Sequence, residues 1–337
     1  MLNPGMLLHT TCTFVLVLTL TLASAVSVQA DEPVNKKPES DAPYVVVLGI
    51  AQDAGYPQAA CNKSCCEPAW KDASLRRHPS CLAVVDPKTR QRWLFDCTPA
   101  FTAQLRLLDD ISKSTSGTLP VDAKGRSQIS GIFLTHGHIG HYTGLMHLGR
   151  EVMGSGSVPV FAMPRMRKFL SSNGPWSQLV SLKNIALKNL ADRDKIQLNE
   201  RISVTPFLVP HRDEFTETVG FRIAGPGKQV LFIPDIDKWE KWDRRIEAEI
   251  TEVDIAFLDG TFFGEGELPG RNMSEIPHPF IQESVDRFCV LPAAHRSKVH
   301  FIHLNHSNPA LDSGSSAATK ISDVGMNVAV QGQVIRL

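Results

Sequence analysis

The sequence predicts an α/β protein, a sandwich of two mixed β-sheets flanked by helices. Three observations carry this. Short apolar runs alternate with helix-like stretches along the chain after residue 42. Several of those runs follow one another at hairpin-like spacing, an order that suits paired mixed sheets better than a barrel of strict βα units. Hydrophobic residues make up 42% of the chain, enough to fill a substantial core.

Strands are expected over 44–48, 81–85, 92–95, 131–134, 158–162, 202–207, 219–223, 230–233, 255–258, 299–302 and 328–335. Each is a short apolar run rich in β-branched or aromatic residues. Helices are expected after Gly140, Pro164, Asp237 and Pro277. The best marked spans 237–250, where Trp239, Trp242, Ile246 and Ile250 recur at three- and four-residue steps and form one apolar face. Core packing accounts for that tryptophan pair. The stretch 112–127, rich in Ser, Thr, Gly and Lys, reads as a surface loop. No internal repeat or low-complexity segment interrupts 43–337, which reads as one domain.

The N-terminal segment reads differently. Residues 14–23 form an apolar stretch of h-region length, and Val28-Gln29-Ala30 is a small-residue cleavage signature followed by Asp31. Residues 1–30 are therefore expected to be a signal peptide that exports the protein to a periplasmic or extracellular space. A retained membrane anchor is the alternative, although the apolar stretch is shorter than the ~20 residues a span needs. Cys12 lacks a lipoprotein-like context. Residues 31–42, charged and proline-containing, read as a disordered tether.

Lys plus Arg and Asp plus Glu number 35 each, so the formal charge is zero. With no basic run interleaved with aromatics, nucleic acid is not an expected partner. A small-molecule substrate is, and a homodimer is an open expectation. Beyond the signal segment lie Cys61, Cys65, Cys66, Cys81, Cys97 and Cys289. Three of them crowd into Cys61-Asn-Lys-Ser-Cys-Cys66, a pattern that favours thiolate coordination of zinc over disulfides spanning the fold.

The most informative run is Thr135-His-Gly-His-Ile-Gly-His141, directly after an apolar stretch. Three imidazoles just past a strand end can converge and offer neutral nitrogens to a divalent metal. His136 and His138 reach one ion, while His141 approaches a neighbouring position. Further ligands must come from distant segments, and three apolar runs end on candidates: His211, Asp235, and the pair His303 and His306.

In that order these residues resemble the metallo-β-lactamase superfamily, and most closely the pyrroloquinoline-quinone biosynthesis protein B family with its phosphodiesterase relatives. The resemblance runs through 49–55, the cysteine cluster, 209–220, 273–278 and 303–309. It implies an αβ/βα sandwich with the metal at the edge of two packed sheets. His136, His138 and His211 would hold one metal, and His141, Asp235 and His303 a second, with Asp235 bridging. The family motif carries an aspartate where this chain has Gly140, so the second position is expected to lack one anionic oxygen and to bind weakly or not at all. His306 would complete a structural zinc site with Cys61, Cys65 and Cys66, whose spacing differs from the Cys-x-Cys-x-x-Cys of the relatives. The opposite assignment, with His306 in the active site, stays open.

Asp213 and Glu214 flank His211 and are candidates to orient an imidazole; Asp259 follows another strand end and can line the cleft. His278 resembles a histidine that the relatives use on a phosphate or a leaving group. His78, His147, His295 and His300 read as structural. The expected activity is hydrolysis of a phosphodiester or related ester with one or two divalent ions (Zn, Mn or Fe), Asp235 and His278 being catalytic. The alternative is a metal-dependent oxidoreductase or carrier in quinone cofactor synthesis. For the N-terminus, the expected outcome is a secreted chain beginning at Asp31 by N-terminal sequencing; a chain retaining Met1 in the membrane fraction would establish the anchor instead.

Overall fold

The computed structural model describes residues 41–117 and 119–337, so the signal-peptide segment, Cys12 and the tether up to residue 40 lie outside the described residues. The strands in chain order are β1 (Tyr44–Gly49), β2 (Cys81–Asp86), β3 (Gln91–Phe95), β4 (Gly131–Phe133), β5 (Val158–Ala162), β6 (Ile185–Asn189) and β7 (Ile196–Gln197). They continue with β8 (Ser203–Leu208), β9 (Val219–Ala224), β10 (Gln229–Ile233), β11 (Ile255–Asp259), β12 (Val299–Ile302), β13 (Asn327–Val328) and β14 (Val334–Arg336).

These build two seven-stranded sheets, ordered β14-β1-β2-β3-β4-β5-β6 and β13-β12-β11-β10-β9-β8-β7. Both are mixed. In the first, the pairings from β14 to β3 are antiparallel and those from β3 to β6 parallel. The second repeats that division, parallel from β13 to β10 and antiparallel from β10 to β7.

The period-two geometry of a strand sorts its side chains into layers. Val45 and Val47 face the second sheet, in a cluster with Phe95, Phe133, Phe221, Phe232 and Phe257. Tyr44, Val46 and Leu48 face the other way, against Phe101 and Leu108 of a helix over Phe101–Ser116. The second sheet does the same, its outer residues Leu231, Ile233 and Phe301 meeting Ile281 and Phe288 of the helix Ile281–Phe288. Helices on both outer faces explain why the central strands are apolar on both sides. The result is the predicted αβ/βα sandwich.

Aromatic rings lock the sheets together beneath one edge. Phe95 stacks on Phe133 at 5.1 Å between ring centroids and meets Phe221 edge-on at 5.3 Å. Phe133 precedes His136 by three residues, and Phe232 precedes Asp235 by three. Register between the two strands that carry these groups is therefore set by packed rings, each contributing about 1.5–3 kcal/mol through burial.

Three expectations need correction. The helix over 237–250 is broken: one 3-10 turn covers Trp239–Lys241, the chain is extended at Trp242 and Arg245, and an α-helix covers only Ile246–Thr251. The indoles are held by different neighbours, Trp239 Nε1 donating to Ser284 Oγ and Trp242 Nε1 to the Leu208 carbonyl. Their spacing reported burial, since all four apolar residues enter one cluster. The loop over 112–127 begins late, because the helix continues to Ser116 with Ser112 buried. The strand over 328–335 is two short strands, one in each sheet, with a turn at Gly332 between them. The edge strands β6 and β7 and the helix Phe101–Ser116 have no counterpart among the sequence expectations. No helix among the described residues is long and apolar enough to cross a membrane.

A buried cation ties the first sheet to its helix layer. The fully buried Arg92 of β3 pairs with Asp109 at 2.7 Å and also donates to Ser127 Oγ and the Gln128 carbonyl. Asp109→Ala strands that guanidinium without its anion, so urea unfolding should show a loss of about 3–5 kcal/mol with the slope unchanged. A loss below about 1 kcal/mol would show that the pair is screened by water.

Candidate metal centre

In the first sheet β1 and β3 run parallel to β4, and in the second β8 runs parallel to β10, β11 and β12. Their C-terminal ends therefore meet at one edge, and each delivers a polar residue there: Asp53, Asp96, His136, His211, Asp235, Asp259 and His303. A strand end is where a side chain can leave the core while its backbone stays anchored.

Three imidazoles and a carboxylate form the first group, from His136, His138, His211 and Asp235. His136 Nε2 lies 2.8 Å from His138 Nδ1, and His211 Nε2 lies 3.3 Å from the same atom. Asp235 Oδ2 stands 3.3 Å from His136 Nε2 and 3.2 Å from His211 Nε2. Beside it is a second group, Asp53, His141 and His303. Asp235 Oδ2 reaches toward it, 3.8 Å from His141 Nε2.

Four buried atoms at this locus have no hydrogen-bond partner: His141 Nε2, His303 Nε2, Asp53 Oδ1 and Asp235 Oδ1. Buried polar atoms are rarely left unmatched, and lone pairs pointed at shared space fit a divalent cation. Electrostatics agree. Burial and neighbouring imidazoles keep His136 far below the ordinary histidine range, and burial lowers His303, so both offer neutral nitrogens. Burial raises the Asp235 carboxyl, but the attraction of His211 and His278 wins and holds it well below the usual range. For His211 burial works downward, yet Asp235 and Asp237 raise it to about 10. A metal entering there displaces a proton.

Each imidazole is oriented from behind. Asp96 Oδ2 accepts from His141 Nδ1 at 2.7 Å, while its Oδ1 takes the Thr135 N–H and hydroxyl. Thr261 Oγ1 lies 2.9 Å from His303 Nδ1 and donates to Asp259 at 2.7 Å. Asp259 also holds His278 through Nδ1 at 2.8 Å. The backbone is constrained as well. Asp96 and His303 sit at φ of 70° and 67°, a left-handed conformation that side chains avoid and that only a dense surrounding network maintains.

His278 is buried, with Asp235 Oδ1 3.2 Å from Nδ1. Its contacts run through Nδ1, which leaves Nε2 for a ligand. It lines a cavity of about 180 Å³ together with Gln52, Arg212, Phe262 and Arg271. A third group lies apart: Cys61, Cys65, Cys66 and His306. Cys61 and Cys65 sulfurs are 3.8 Å apart, and His306 Nδ1 is 3.7 and 3.3 Å from those of Cys65 and Cys66. Tetrahedral zinc at ~2.3 Å from each sulfur separates the sulfurs by about 3.8 Å. The six described cysteines are unpaired.

The structure thus brings together every expected ligand and separates the late histidines, His303 at the imidazole centre and His306 at the cysteines. Glu214 reaches His138 at 3.1 Å, whereas the contact to His211 Nδ1 comes from Asp237 at 3.3 Å and not from Asp213. Asp53, Asp96 and Asp237 escaped the sequence reading. Asp96 carries the signal that exposed Asp235, a carboxylate just past an apolar run, and Asp53 follows β1 in the same way.

Imidazoles from both sheets meeting a strand-end aspartate define the metallo-β-lactamase class of fold and site. A family model described as the beta-lactamase superfamily domain matches residues 91–304, and the chain belongs to that family. It is 26% identical over 322 residues to coenzyme PQQ synthesis protein B of Methylorubrum extorquens (strain PA1), covering 87% of this chain and 100% of that protein. Zinc-bound PqqB from Methylobacterium extorquens superposes with a TM-score of 0.71 at 23% identity, covering 87% of this chain and 100% of that one. A diphosphatase of the PhnP family superposes with a TM-score of 0.57 at 19% identity, covering 88% and 97%. At those identities the two structures establish the shared fold.

Asp96→Asn tests the outer network. The amide must reverse one contact, either at Thr135 or at His141 Nδ1, and in the second case the His141 proton moves to Nε2, the atom facing the site. Calorimetric titration with Zn²⁺ or Mn²⁺ should show affinity falling about 10–100-fold. Unchanged affinity would show that His141 does not depend on Asp96.

Proposed function

We propose that the chain is a metal-dependent hydrolase of phosphodiesters or related anionic esters. The observation that supports this best is the position of Asp235, between the imidazoles of His136 and His211 on one side and His141 on the other. His136, His138, His211 and Asp235 would hold one divalent ion, and His141, His303 and the shared Asp235 would bear on a second. The histidine-rich donor set suits zinc, manganese or iron. When bound, such an ion polarises the ester oxygen and acidifies a water molecule.

The remaining work falls to the chain's own groups. Burial works to lower the His278 pKa, but Asp259 and Asp235 outweigh it and raise it, which favours the protonated ring. Imidazolium at the cavity wall can give that proton to the departing oxygen as the ester bond breaks. Arg212 and Arg271 line the same cavity, both exposed at its mouth, and suit a substrate bearing negative charge. Cys61, Cys65, Cys66 and His306 would hold a structural zinc.

The likeness to coenzyme PQQ synthesis protein B over most of both chains supports a second reading, a metal-dependent role in making a quinone cofactor. One experiment separates them. The metal-free protein is loaded with Zn²⁺, Mn²⁺ or Fe²⁺ and assayed on bis(p-nitrophenyl) phosphate and a chromogenic β-lactam. Hydrolysis of the phosphodiester is expected, abolished by His136→Ala without loss of folding, and reduced about 10²–10⁴-fold in kcat by His278→Ala. Absence of turnover in every metal form would end the hydrolase reading; iron in the protein as purified, with oxygen consumption, would favour the second.

A further inference from the structure

The position where the family motif carries its aspartate is Gly140 here, and the space beside it is already filled. A Cβ built on Gly140 would lie 2.2 Å from Asp53 Oδ1, 2.4 Å from Asp53 Cα and 2.9 Å from Asp53 Cβ. Contact with Cα means that swinging the aspartate aside would not relieve the clash; the backbone of residue 53 itself must move. A side chain at 140 and this placement of Asp53 are mutually exclusive.

That backbone is held firmly. Gln52 N donates to the Leu304 carbonyl and Leu304 N to the Ile50 carbonyl, both at 2.8 Å, which stitches the end of β1 to the segment after His303. A turn closed by Gly55 N on the Gln52 carbonyl follows, with Gly55 at φ 81°. Asp53 is thereby aimed inward: Oδ1 is buried without a hydrogen-bond partner, 3.3 Å from His141 Nε2 and 3.9 Å from His303 Nε2. Those two nitrogens are likewise buried and unmatched.

We propose that Asp53 supplies the carboxylate of a second metal position, replacing the aspartate absent at residue 140, and that glycine at 140 is the opening that admits it. This rests on the metal-centre reading above. With Asp53 included, each position has four donors: His136, His138, His211 and Asp235 for one, His141, His303, Asp53 and the shared Asp235 for the other. A weak or single-ion centre follows only when residue 140 is considered alone.

The test reads metal stoichiometry on the full chain, by elemental analysis and calorimetric titration with Zn²⁺ and Mn²⁺, beside melting of the metal-free protein. Asp53→Asn keeps the shape and removes the charge. One ion per chain should be lost, or weakened beyond the ~10–100-fold that loss of an outer partner costs, while the ion dependent on His136 remains. Gly140→Ala should lose the same ion by displacing Asp53, and Gly140→Asp with Asp53→Gly should recover it. Asp53→Asn binding both ions with unchanged affinity would overturn the proposal while leaving the first position intact. A wild-type chain binding no ion outside its cysteine cluster would overturn both this proposal and the reading beneath it. Should Asp53→Asn fail to fold, the double variant decides: recovery of two ions supports the exchange, and a single ion overturns it.

Discussion

Asp235 is buried at the seam between the sheets, and a carboxylate in that position is tolerated only because imidazoles surround it. His211 and His136 approach one oxygen at 3.2 and 3.3 Å, and His278 approaches the other at 3.2 Å. An isolated carboxylate so placed would cost several kcal/mol. The strands that deliver these rings belong to both sheets, so the neutralisation of one charge joins the two halves of the fold at their polar edge. Beneath it the packed phenylalanines of β3, β4, β9 and β10 do the same for the apolar interior.

Around that centre the chain repeats one device. An aspartate at a strand end accepts nearby backbone or hydroxyl protons with some of its lone pairs and turns an imidazole with another. Asp96 does this for His141, and Asp259 for His278 directly and for His303 through Thr261. For His141 and His303, fixing the outer nitrogen decides whether the inner one carries a lone pair. The left-handed backbone at Asp96 and His303 belongs to the same arrangement, since both bends aim side chains that a straight strand would point into the core.

Much of this was legible from the chain. Apolar runs located ten strands, and merged β13 with β14, because burial on both faces leaves little room for polar residues in a central strand. It failed at β6 and β7, edge strands with half-exposed residues. The tryptophan spacing over 239–250 reported a buried face, but helical continuity depends on where each indole finds an acceptor, which spacing does not encode. At the site, histidines stood out by rarity and clustering. Asp53, Asp96 and Asp237 did not, because aspartate at the end of a strand is common in turns and gains its meaning only from what lies across the sheet edge.

His303 and His306 are separated by two residues, yet one faces the imidazole centre and the other the three thiols. Leu304, between them, is tied by backbone hydrogen bonds to both Ile50 and Gln52. The segment is too short to flex independently at its two ends. Whatever orders the sulfur cluster therefore removes slack from the imidazole-lined edge, and oxidation of those thiols would be felt there without any reagent reaching it.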